Sequence, residues 1–187
     1  MRSILTMLAA GTLLALQAPA DAAESEFQIT PRVGRGDLRI DRFEGVDSNL
    51  AEIDTYGLGV GMGFLTPIGV VFEAGVDDFA DFDFFDTFDS FKLTQKFASV
   101  GYQFELGEGW RLVPRVGRVH WKLRSEEGFL FNPGPEEVRS ISGDDYFWEA
   151  SISRRISRVV TLGMNYKQGN FDFGRSRTAS FIVTLGF

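Results

Sequence analysis

Tyr56-Gly57-Leu58-Gly59-Val60-Gly61-Met62-Gly63-Phe64 is the stretch of this sequence with the strictest alternation. Every even-numbered residue in it is large and apolar, and every odd-numbered residue is glycine. Successive side chains of a β-strand point to opposite faces, so a period of two indicates a strand rather than a helix. One face of this predicted strand is apolar, and the other carries no side chains.

The same period of two recurs along the chain and predicts eight strands. Their approximate spans are 26–40, 51–64, 68–78, 91–105, 110–124, 145–155, 159–169 and 177–187. Three connections between strands are only a few residues long. The other four are mostly longer, at 41–50, 79–90, 125–144 and 170–176. An even strand number with short turns at one end and long loops at the other is typical of bacterial outer-membrane barrels. The predicted fold class is therefore all-β, an eight-stranded antiparallel up-and-down transmembrane β-barrel.

The five residues Pro-Arg-Val-Gly-Arg occur twice, at 31–35 and at 114–118, which suggests that the first and fifth strands are equivalent. Beyond each glycine the apolar residues change parity. The residues concerned are Leu38, Ile40, Val119, Trp121 and Leu123. A β-bulge near Gly34 and near Gly117 would explain such a change of face.

The first residues are predicted to form a cleaved secretory signal peptide. Arg2 supplies a positive start, 4–16 is an apolar run, and 18–22 supplies small residues. The run is shorter than the about 20 apolar residues that a spanning helix needs. The expected domains are a signal peptide at 1–22 and an outer-membrane β-barrel at 23–187.

Composition excludes several classes of function. The 187 residues contain no cysteine, so a disulfide scaffold, a thiolate metal site and a cysteine nucleophile are excluded. A net charge of −7 argues against a nucleic-acid-binding protein. A single histidine leaves little room for a multi-histidine zinc site. The sequence assigns no catalytic residue, no metal ligand and no cofactor.

The segment Thr178-Ala179-Ser180-Phe181-Ile182-Val183-Thr184-Leu185-Gly186-Phe187 alternates and ends in phenylalanine. With the signal peptide and the eight strands, it makes the chain resemble the small OmpA-like outer-membrane β-barrel family of Gram-negative bacteria, over essentially all of 26–187. The resemblance implies a porin-like barrel in the cell outer membrane. It also implies that the barrel assembly machinery recognises the terminal strand through Phe187. The peptidoglycan-binding domain of larger members is not expected here.

A secreted soluble barrel would show the same alternation with its faces reversed. The membrane version is favoured because one face consists of Gly, Ser, Thr and charged residues, and because aromatic residues collect at strand ends. In that version six charged residues face the lumen. They are Arg32, Glu73, Arg111, Arg115, Glu149 and Lys167. Because buried charges must pair, Glu73 and Glu149 are expected among the basic groups, as a structural plug or as a gated ion path.

Three further features are candidates for function. His120 is the only histidine and the only candidate residue for a lipid A-modifying enzyme. The Asp/Phe-rich segment 77–91 suggests divalent-cation binding, partner contact or a solvated acidic loop. Its densest acidic cluster is Asp81, Asp83, Asp86 and Asp89. Basic residues near the long-loop ends are expected to meet lipopolysaccharide phosphates. They are Lys92, Lys96, Arg118, Lys122 and Arg124.

The expected function is non-enzymatic: envelope integrity, surface interaction or limited small-solute passage. The alternatives are a lipid A-modifying barrel enzyme and a soluble secreted ligand-binding β-barrel. The expected partners are outer-membrane lipid, lipopolysaccharide and the barrel assembly machinery, and the expected state is a monomer.

Overall fold

The computed structural model describes residues 25–41, 53–81, 90–126 and 138–187, which form strands and short turns. The predicted signal peptide lies outside the described residues. No helix in the described ranges is long and apolar enough to cross a membrane. The strands in those ranges are β1 Glu26–Ile40, β2 Ile53–Leu65, β3 Val70–Asp81, β4 Ser90–Tyr102, β5 Phe104–Gly107, β6 Trp110–Glu126, β7 Val138–Arg155, β8 Val160–Phe171 and β9 Gly174–Gly186.

These strands close into one antiparallel barrel. Both β4 and β5 pair with β6, so the two form a single barrel strand interrupted at Gln103. Every other strand pairs with its neighbours in sequence, and β1 also pairs with β9. At this last junction, the backbone amides of Phe27 and Phe187 each donate to the carbonyl oxygen of the other residue, at 3.1 and 2.9 Å. The described chain thus forms an eight-stranded barrel, and the predicted fold class is confirmed.

The exterior of the barrel is apolar around its middle, and we call this zone the apolar belt. On β2, the even-numbered residues from Tyr56 to Phe64 are 39–69% exposed, whereas the glycines between them face the lumen. Val116, Trp148 and Phe181 on other strands are also exposed. A soluble barrel turns such side chains inward. The exterior therefore suits hydrocarbon, and the soluble alternative does not fit.

The change of parity after Gly34 and Gly117 involves no bulge. The pairings of β1 with β2, and of β6 with β4 and β7, run in unbroken register through both glycines. The predicted bulges are therefore wrong. Leu38, Val119 and Trp121 stay on the inward face and are at most 2% exposed. The lumen itself changes at this height, from polar to apolar.

The predicted bounds of two of the long connections are wrong. β7 begins at Val138, so 138–144 belongs to a strand. β8 and β9 are joined by a turn of only two residues, Asp172 and Phe173. These strand ends lie above the apolar belt, where water surrounds the barrel, so polar residues face outward there and the apolar alternation is lost.

Candidate functional site

The middle of the lumen holds a set of polar side chains that we call the charge layer. Five of the six charged residues predicted to face inward belong to this layer. The sixth, Arg111, is buried lower in the barrel, with its Nε 3.2 Å from Oε1 of Glu105. The layer consists of Arg32, Glu73, Asp77, Arg115, Glu149, Asn165 and Lys167, each at most 8% exposed. Asp77 was missed as a luminal charge, although it has the same parity as Glu73 on β3.

Two arginines and two glutamates form a ring of alternating charge. Arg32 contacts Glu73, and its Nη1 lies 3.4 Å from Oε2 of Glu149. Arg115 places Nη2 3.4 Å from Oε2 of Glu73 and Nη1 3.1 Å from Oε1 of Glu149. Each carboxylate therefore meets two guanidinium groups, whose planar forks suit such bridging.

The two arginines come from the repeated Pro-Arg-Val-Gly-Arg segments. β1 and β6 are the first and fifth of the eight barrel strands, so they lie on opposite walls of the barrel. The predicted equivalence of the two segments is thus visible as two guanidinium groups that share the same pair of glutamates.

A second ion pair extends the charge layer towards the long-loop end. Lys167 donates from Nζ to Oδ2 of Asp77 at 2.9 Å. The same Nζ lies 4.4 Å from the ring centre of Phe97 and 4.6 Å from that of Phe147. Aromatic faces attract a desolvated cation, so Lys167 joins the charge layer to the rings above it. Asn165 completes the layer by donating to Oε2 of Glu149 at 3.0 Å.

The glycines of β2 provide the space that the charge layer occupies. A Cβ atom at Gly59 would collide with the Asp77 carboxylate. One at Gly61 would collide with Glu73 and come within 3.0 Å of Nη2 of Arg32. The glycine face that the alternation predicts is therefore the wall against which the luminal carboxylates pack.

Above the charge layer, apolar side chains fill the lumen as an aromatic layer. Its members are Leu38, Ile40, Phe79, Phe91, Leu93, Phe97, Val119, Trp121, Leu123, Phe147, Phe171 and Phe173. Phe97 and Phe147 meet edge to face at 5.8 Å, and Trp121 and Phe173 do so at 4.6 Å. The Trp121 indole donates to Oδ2 of Asp145 at 2.8 Å, so its one polar atom is satisfied. Two successive layers thus occupy the lumen.

The predicted basic residues gather on the exterior of β4 and β6, above the apolar belt. Together with His120, they form what we call the outer basic face. Its residues are Lys92, Lys96, Arg118, His120, Lys122 and Arg124, all exposed. His120 places Nδ1 3.4 Å from Oδ1 of Asp144. No serine hydroxyl within the described ranges forms a hydrogen bond with this histidine.

No protein-family model matches the chain, and no curated protein matches it. Solved structures do match this chain. The chain is similar to Ail, the attachment invasion locus protein of Yersinia pestis, at 12% identity and a TM-score of 0.61, over 88% of this chain and 100% of Ail. Ail in complex with the heparin analogue sucrose octasulfate is 14% identical to this chain, with a TM-score of 0.62 over 88% of this chain and 100% of Ail. Neisserial surface protein A is 14% identical, with a TM-score of 0.60 over 88% of this chain and 100% of that protein.

The fold is that of an outer-membrane β-barrel. The predicted outer-membrane location agrees with this fold and with the apolar belt on the exterior of the barrel. The chain shares with these structures the fold of an eight-stranded transmembrane β-barrel.

The acidic cluster of the Asp/Phe-rich segment is described only in part. Asp81 ends β3 and accepts a hydrogen bond from the backbone amide of Phe91 at 3.0 Å. Asp83, Asp86 and Asp89 lie outside the described residues. Within the described part of the chain, no group of acidic and histidine side chains is arranged to hold a metal ion.

Proposed function

We propose that the protein is a non-enzymatic outer-membrane barrel with a closed lumen, which serves envelope integrity and surface interaction. The observation that carries this proposal is the pair of layers across the lumen. A solute crossing the barrel would have to separate the ring of Arg32, Glu73, Arg115 and Glu149 and then displace the aromatic layer. Breaking one such buried pair costs about 3–5 kcal/mol, so solute passage is the least favoured of the three expected roles.

The position of His120 supports a non-enzymatic role. Its side chain is 54% exposed on the outside of the barrel, and its charged neighbours on β4 and β6 are all basic. A general base for acyl transfer needs a nucleophile within hydrogen-bond reach. The described neighbour that His120 contacts is the Asp144 carboxylate, which cannot supply a hydroxyl or thiol nucleophile.

Planar-bilayer recording tests the closed lumen. We expect the inserted wild-type barrel to show no discrete conductance steps, because both layers span the lumen. Phe97→Ala with Phe147→Ala removes two rings that cover the charge layer, and we expect this variant to show more frequent current events. Phe181→Ala, on the lipid-facing side, is the matched control and should behave as wild type. Steady ohmic steps from the wild type would contradict the proposal.

We also propose that the strand ending in Phe187 carries the contact with the barrel assembly machinery. In support, Phe187 is 70% exposed, while its backbone pairs with Phe27 at the junction that closes the barrel. Deleting Phe187 removes two closing hydrogen bonds and the outward ring. We expect at least a severalfold loss of folded barrel from outer membranes, measured by quantitative immunoblotting. The control is Phe187→Tyr, which keeps the backbone and the aromatic ring. Normal levels of the deletion variant would refute the contact.

A further inference from the structure

The outer basic face places like charges directly opposite one another. In the register of β4 with β6, Lys92 is opposite Arg124, and Lys122 is opposite Thr94, which lies between Lys92 and Lys96 on the same face of β4. Like charges in directly opposed positions destabilise a sheet. An anionic group lying between or over these side chains would relieve the repulsion between them.

The described protein supplies few counter-charges to this face. Asp144 lies beside His120, and Asp78 accepts a hydrogen bond from the Thr94 hydroxyl at 2.5 Å. No carboxylate of the described residues lies within salt-bridge distance of the lysines and arginines of the face.

On another side of the same barrel, exposed arginines form ion pairs with carboxylates. Arg35 on β1 places Nη2 2.6 Å from Oδ2 of Asp54 on β2, and Arg39 places Nε 2.9 Å from Oδ1 of Asp41. Arg35 and Arg39 are therefore paired on that side of the barrel, whereas no described carboxylate pairs with the lysines and arginines of the outer basic face.

The position of the outer basic face along the barrel axis indicates which kind of molecule supplies anionic groups to it. It lies towards the long-loop end, since the short turns at 66–69, 108–109 and 156–159 mark the opposite end. Directly below Arg118 on the exterior, Val100 faces Val116, and Trp148 follows on β7. These three side chains are 42–60% exposed and belong to the apolar belt. Lys96 and Val100 are four positions apart along the strand, a distance of about 13 Å.

A ligand that fits both zones has anionic groups above and hydrocarbon chains below. A recess of about 280 Å³ lies between the side chains of the face. It is lined by Lys92, Thr94, Lys96, His120, Lys122 and Arg124. Ammonium and guanidinium groups are the donors that bind phosphate through charge-assisted hydrogen bonds.

We propose that the outer basic face binds the phosphate groups of lipopolysaccharide from the outer leaflet, while its acyl chains lie on Val100, Val116 and Trp148. This proposal rests on the outer-membrane location in the proposed function, but not on the closed lumen. Lipid A is the part of lipopolysaccharide that combines phosphate with acyl chains. The barrel would therefore hold this lipid on one sector rather than uniformly around its circumference.

Titration of the detergent-extracted, delipidated barrel with bis-phosphorylated lipid A tests the site, with bound lipid counted by native mass spectrometry. We expect Lys96→Gln with Lys122→Gln to weaken binding about tenfold or more, because each lost cation removes a charge-assisted contact. The matched control, Arg35→Gln with Arg39→Gln, removes the same charge from the paired sector and should change affinity less than about twofold. Lys96→Arg with Lys122→Arg keeps the charge and should retain binding.

Two further binding measurements show whether the face binds the phosphorylated lipid or phosphate alone. Dephosphorylated lipid A should bind wild type and both glutamine variants alike and weakly. Inorganic pyrophosphate should displace lipid A only at much higher concentration, because it gains nothing from the apolar belt. Equal loss in the two glutamine variants, undiminished binding of dephosphorylated lipid, or displacement by equimolar pyrophosphate would each overturn the proposal. Conductance recorded on the same preparation keeps this outcome separate from that of the closed lumen.

Discussion

Replacing Glu149 with glutamine is expected to lower the free energy of unfolding of the barrel by about 3–5 kcal/mol. Glu149 is 1% exposed and accepts contacts from Arg32, Arg115 and Asn165. In the variant, the two guanidinium groups share only Glu73, and the new amide turns N–H donors towards other donors. Denaturant unfolding in detergent micelles, followed by tryptophan fluorescence, measures the change.

The control for this experiment is Asp54→Asn on the exterior. Asp54 forms a 2.6 Å ion pair with Arg35, but both side chains are more than half exposed. Water screens exposed ion pairs, so this variant should unfold close to wild type. A second variant, Glu149→Gln with Arg115→Gln, restores the balance of charge and should recover part of the loss. Equal destabilisation by Asp54→Asn and Glu149→Gln would mean that the ring contributes no more than an exposed pair.

Replacing Gly61 with valine is expected to cost about 3 kcal/mol or more, or to prevent assembly. The added side chain would occupy the position of the Glu73 carboxylate and press on the Arg32 guanidinium. Neither group can move aside without separating a buried ion pair. The yield of folded barrel from outer membranes and its unfolding midpoint are the measurements.

The matched control is Ala74→Val, which also enlarges a small residue on a neighbouring strand. Ala74 lies next to Met62 in the pairing of β3 with β2 and faces lipid. Enlarging a lipid-facing side chain displaces no protein group, so we expect a change within about 0.5 kcal/mol. Similar losses from both valines would show that crowding at Gly61 is not the cause.

The membrane-spanning half of the fold could be predicted from the sequence, because lipid imposes one rule on every strand there. Leu58, Val60 and Met62 must be apolar, and the residues between them must suit a crowded polar lumen. The same rule predicted that Arg32 and Glu149 face inward. Parity alone cannot show which charges meet, so the pairing of Lys167 with Asp77, across strands distant in sequence, required the structure.

The upper half of the barrel could not be predicted by that rule, because its surroundings differ. Above the apolar belt, water surrounds the strands, so the pattern is that of a soluble protein with apolar residues inside. On β6, Val119 and Trp121 face the lumen while Arg118 and Lys122 face out. An exchange of polar and apolar faces within one straight strand resembles a bulge when a single rule is applied to its whole length. The unbroken register shows that the environment changes and the strand does not.

The ring of charges also bears on how the chain enters the bilayer. Its four members come from the first, third, fifth and sixth barrel strands, so only the β6–β7 hairpin contains a neutral pair, Arg115 with Glu149, while Arg32 and Glu73 lie on separate hairpins. A partly inserted chain would expose unmatched arginines or glutamates to hydrocarbon, which costs several kcal/mol per charge. Intermediates with some strands inserted and others outside are thereby disfavoured. The contacts of Arg32 with Glu149 and of Arg115 with Glu73 form only when the barrel closes, so insertion and closure are coupled.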